Sequence, residues 1–144
     1  MRRASALILG IALGSNGVWM LAAPGHWYLR IPNVVSTGPA NLHFIRDIGC
    51  VYFAIGACLI WLAVQPKRSW PAAFACGVFL ALHALVHVWD TAAGREHPHG
   101  LLQDFPAVVL PAILVLWLAW PPHRTAQKES SNDPLVPKSS DERV

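Results

Sequence analysis

His83, His87 and Asp90 follow one another at intervals of four and then three residues, near the end of an otherwise apolar run. In a helix that spacing puts all three on one face. Ionisable groups inside an apolar span are costly and turn toward a bundle interior or a water-filled cavity, so function is sought there first. A second set, Asn41-Leu-His43-Phe-Ile-Arg46-Asp47, opens an earlier apolar run. There His43 and Asp47 stand four apart on one helix face, flanked by Arg46. Imidazole and carboxylate together can ligate a metal, share a proton or lock helices through hydrogen bonds.

Three uses of these residues compete. In the first, His43, Asp47, His83 and His87, with Asp90 beside them, hold zinc, iron, copper or manganese. A haem variant takes one histidine as axial ligand, and a metal- or haem-dependent oxidoreductase is the activity this first use would serve. The zinc protease signature is broken, because Ala84 and not Glu follows His83. In the second, the groups form a buried network: Arg46 pairs with Asp47 or Asp90, and Asp47 accepts from a histidine of the later run. In the third, they line a pocket for a small ligand or lipid head group. A pattern standing alone most simply means satisfied polar groups, which favours the network. His26, His97 and His99 read as solvated loop residues. No Gly-rich phosphate loop or nucleophile elbow is present.

The elements that must position these side chains are membrane helices. Hydrophobic residues make up 54% of the 144 and charged residues 13%, about half the charge of ordinary soluble domains. Eight of the 19 charged side chains follow Pro122, leaving the rest more apolar still. Four stretches, at about 4–23, 45–64, 70–90 and 101–120, reach the roughly 20 residues a spanning helix needs. An all-α integral membrane four-helix bundle follows, since a spanning segment must satisfy its own backbone. Span two runs inward and span three outward, so Asp47 should lie level with His87. The fourth span carries Pro106, placed in a first turn after an Asp104 cap, and Pro111, expected to kink it. Pro24 after Ala22-Ala23 suits signal cleavage poorly, so the first span is expected to be retained.

Eight basic residues (Arg2, Arg3, Lys67, Arg68, Arg124, Lys128, Lys138, Arg143) fall on one side of this layout and three (Arg30, Arg46, Arg95) on the other. The positive-inside rule then puts both termini in the cytoplasm. The net charge of +3 belongs to this asymmetry and is no argument for nucleic acid. The bilayer is the implied partner; a membrane-protein partner or second copy is left open. The outer segment Pro24–Ala40 mixes aromatic and β-branched residues with Pro and Gly, as an ordered cap would. Residues 121–144 lack apolar periodicity and read as a disordered tail. Cys50, Cys58 and Cys76 form no Cys-x-x-Cys pair; Cys58 and Cys76 fall at similar depth, as packing residues able to touch. Gly10-x-x-x-Gly14 marks a closely packed helix.

The run Asn41-Leu-His-Phe-Ile-Arg-Asp-Ile-Gly49, followed by an apolar stretch with Gly56, resembles the second-span entry of DoxX-like small membrane proteins. Those are bacterial inner-membrane four-helix proteins, many without an assigned activity. The resemblance implies the fold and the membrane and carries over no catalytic residue. Trp27-Tyr28, Thr37-Gly-Pro39 and the histidines of span three are not part of what carries this resemblance. The expectation is a multi-pass inner-membrane protein, ligand-binding or accessory, with a His/Asp pocket in its outer half. A metal- or haem-dependent oxidoreductase is the alternative.

Overall fold

The computed structural model describes residues 1–95 and 100–120; the tail from residue 121, and with it the expected disorder, lies outside them. Helix α1 spans Arg2–Ala22, α2 Pro24–Arg30, α3 Leu42–Val64 and α4 Pro66–Ala92. A 3-10 turn at Val34–Thr37 separates α2 from α3. The last membrane-length helix is composite: α5 (Gly100–Asp104), a π-helical turn (Phe105–Val109) and α6 (Leu110–Ala119). Among the described residues, four helices are thus long and apolar enough to cross a membrane. Large apolar side chains such as Ile8, Phe53, Leu85, Val86 and Ile113 point outward. Such a surface suits lipid and would be a liability in water, so the architecture is compatible with a multi-pass membrane protein.

The most extensive helix pair is α1 with α3, and glycine makes it so. A Cβ added at Gly56 would lie 2.5 Å from Gly14 Cα and 2.7 Å from the Gly10 carbonyl oxygen; one at Gly17 would lie 2.5 Å from Phe53 N. Small residues in register let two backbones touch. The Gly10-x-x-x-Gly14 pattern therefore packs within this chain. Next to that seam, Tyr52, Ile55, Leu59 and Leu62 of α3 meet Ala73, Leu80 and Ala84 of α4, and Val115 and Leu118 of α6, in one core.

The π turn follows from two prolines. Pro106 lacks an N–H, and the Pro111 ring would collide with the carbonyl of residue 107 in a regular helix. Widening the turn resolves both, with Leu110 N–H bonding back to the Phe105 carbonyl. The expected kink at Pro111 is met by this local widening instead. Asp104 was expected as the cap before Pro106, yet its side chain makes no cap hydrogen bond.

One end of the bundle holds both described termini and the α3–α4 turn. There Arg2 Nη2 donates to the Trp117 carbonyl at 2.8 Å and the Leu118 carbonyl at 3.1 Å, and its guanidinium lies 5.4 Å from the Trp117 ring centre. A cation on the last carbonyls of a helix complements its dipole. At the other end, the loop end, residues 24–40 are a folded cap. The Tyr28 hydroxyl donates to the Gly38 carbonyl at 2.7 Å, and Trp27 Nε1 donates to Asn16 Oδ1 at 2.9 Å.

Candidate functional site

Helix α4 buries Ala73, Gly77, Leu80 and Ala84, a stripe of alternating three- and four-residue steps. His83 and His87 border that stripe and turn inward with it. Their rings meet edge to face, centroids 4.9 Å apart. His83 also lies parallel to the Phe79 ring at 6.3 Å and meets Tyr52 of α3 edge-on at 6.4 Å.

The carboxylate that joins the histidines comes from the fourth span. Asp104 Oδ2 lies 2.8 Å from His87 Nδ1, and Asp104 is only 8% exposed. Its other oxygen accepts from Asn33 Nδ2 at 3.3 Å. Asn33 has a positive φ of 65°, a backbone state Asn tolerates better than most residues. The wide turn beginning at Phe105 follows Asp104 directly, and π turns are recurrent devices at functional sites. A neutral His87 ring that donates to this carboxylate through Nδ1 keeps Nε2 as a hydrogen-bond acceptor or ligand atom.

The other expected members lie elsewhere. His43 Nε2 and Asp47 Oδ2 pair with each other at 3.5 Å on the surface, their side chains 88% and 59% exposed. The expected bond from Asp47 to a histidine of span three is therefore replaced by the bond from Asp104. The reason is rotation. Ile45, Gly49, Tyr52 and Gly56 define the buried face of α3, and at 100° per residue Asp47 sits about 200° around from Ile45. The glycine seam with α1 fixes that orientation. Arg46 is exposed and makes no ion pair among the described residues, against its expected pairing with Asp47 or Asp90. Asp90 turns to Arg95, 2.8 Å away. The metal set of His43, Asp47, His83 and His87 is accordingly divided between surface and interior. Among the described residues no group of three or more His, Cys, Asp or Glu side chains is placed to hold a metal ion. His97 and His99 lie outside the described residues; His26, expected to be merely solvated, accepts from Trp19 Nε1 at 3.1 Å.

Three residues of the cluster escaped the sequence reading: Asp104, Asn33 and Tyr52. Asp104 is the one acid between residues 100 and 120. The rule that singled out His83, a charge inside an apolar span, applies to it equally. Its place before Pro106 gave it a capping role instead. Deeper in the bundle, Cys58 of α3 and Cys76 of α4 are neighbours, both half-buried free thiols, as their similar depth suggested. No protein-family model, curated protein or solved structure matches the chain.

Proposed function

We propose that this chain is a multi-pass protein of the bacterial inner membrane, with the layout of DoxX-like proteins and both termini cytoplasmic. Its loop end, facing outward, binds a small ligand at Asp104, His87, His83 and Tyr52. The orientation rests on the excess of Arg and Lys at the end that holds the termini.

One observation carries the binding reading. The Tyr52 residue is 7% exposed, yet its hydroxyl makes no hydrogen bond among the described residues, and neither does the His83 ring. Buried polar groups are nearly always satisfied. A network that served only to lock helices would use them. Here Asp104, His87 and Asn33 are engaged, and the groups next in line keep free capacity. That pattern fits a ligand offering both a donor and an acceptor, with the Asp104–His87 pair fixing its orientation.

The test is native mass spectrometry of detergent-purified protein, with metal analysis and an absorption spectrum on the same sample. The expected result is a small organic molecule retained by the native chain and lost in Asp104→Asn and Tyr52→Phe. Stoichiometric metal or a haem band would replace this reading with the oxidoreductase one. A ligand retained equally by both variants would place the binding site elsewhere.

A further inference from the structure

At the end opposite to the His87–Asp104 cluster, an open cavity of about 250 Å³ is bordered by Arg3 of α1, by Lys67 and Arg68 of α4, and by Val64, Gln65 and Pro66. Three basic residues from two helices line it, together with apolar surface, and no Asp or Glu does. None of the three makes an ion pair among the described residues. Their neighbour Arg2, by contrast, is occupied with the carbonyls of α6. The cavity also lies at the first turn of the 27-residue α4, whose Gln65 cap makes no side-chain hydrogen bond. The dipole of that helix adds partial positive charge at the same place. Apolar surface adjoins the charges: Val64 is 64% exposed and Trp61, one turn deeper, is 40% exposed.

The geometry points to a site for the phosphate group of an anionic phospholipid. Cations concentrated between helix ends at the membrane surface attract an anionic head group beyond what a scattered charge does. The apolar border next to them accommodates the acyl chains, which free phosphate does not need. A tryptophan at the boundary suits the depth of glycerol and ester groups. This assignment rests on the proposed membrane insertion and is independent of the ligand at the loop end.

Native mass spectrometry of the full chain in an uncharged detergent tests it, with phosphatidylglycerol and phosphatidylcholine of identical acyl chains as probes. Phosphatidylglycerol should be retained at least about tenfold better. The double substitution Lys67→Gln with Arg68→Gln should reduce that preference to near parity. Neutralising Arg30 and Arg46 at the loop end should leave it intact. Equal retention of the two lipids by the native chain would overturn the proposal, and so would an unchanged preference in the Lys67/Arg68 variant. Displacement of phosphatidylglycerol by inorganic phosphate would overturn the lipid assignment in favour of a free anion. If the double variant does not fold, Arg3→Gln and the native chain's own head-group preference decide the matter. A chain that stays in solution without detergent would defeat the membrane reading itself, a result distinct from lipid parity in an inserted protein.

Discussion

Tyr52 and Asp104 are both buried, and their substitutions should act in opposite directions. A buried hydroxyl without a partner carries a desolvation cost of about 1–3 kcal/mol. Tyr52→Phe removes that hydroxyl and keeps the ring that packs on His83. Thermal unfolding of the ligand-free protein in detergent should therefore show Tyr52→Phe at or above native stability. A marked loss would mean that the hydroxyl is engaged in structure, and would remove the argument for a ligand. Asp104 answers differently, because His87 and Asn33 both depend on it. His87→Ala leaves the carboxylate buried with only the Asn33 amide, at a cost of about 1–3 kcal/mol. The double change His87→Ala with Asp104→Ala should cost less than the two single changes together, since neither partner is then left stranded. Strict additivity in that cycle would show that the 2.8 Å contact contributes nothing.

Among the helices, the glycines divide into two kinds. A methyl at Gly56 would press on backbone, Gly14 Cα at 2.5 Å and Gly10 O at 2.7 Å, so α1 and α3 would have to separate. A methyl at Gly77 would meet Leu116 Cδ2 at 2.8 Å, the end of a flexible side chain. Gly56→Ala should therefore cost about 1–3 kcal/mol, in the range of overpacked cores, and Gly77→Ala clearly less. Melting temperatures of the two variants in one detergent decide it; equal losses would mean that the seam yields easily. This same seam explains how much of the site was legible in the sequence. Hydropathy locates the four membrane-length helices among the described residues to within a few residues, because each is apolar over about the same length. The depth of His83 and His87 follows from counting along α4. Rotation about the helix axis does not follow from hydropathy when lipid-facing and core-facing residues are both apolar. On α3 only the glycines mark the buried side, and they turn Asp47 away. Asp104 stayed hidden for another reason: Asp before X-Pro reads as a helix cap, and only the neighbouring α4 shows that the carboxylate has a partner across the bundle.

For the molecule as a whole, the Arg2 clasp onto the Trp117 and Leu118 carbonyls ties the start of the first span to the end of the fourth. Both described termini therefore lie at one end, as an even number of crossings requires. Charge supplies the side. Arg2, Arg3, Lys67 and Arg68 gather at that end, while Arg30, Arg46 and Arg95 belong to the other. Basic residues close to span ends are held on the cytoplasmic face. Reporter fusions at Arg68 and at the C-terminus should then both score cytoplasmic, and a fusion within 92–100 should score external. An external C-terminus paired with a cytoplasmic Arg68 would mean that the composite helix from Gly100 to Ala119 does not cross. Its π turn and two prolines make it the least regular of the four. A helix that failed to cross would leave Asp104 facing the head groups and not His87, so the topology result bears directly on the site. With the fourth crossing intact and both termini scored cytoplasmic, the buried pair and its proposed ligand would face outward, and the basic cavity would meet the inner leaflet.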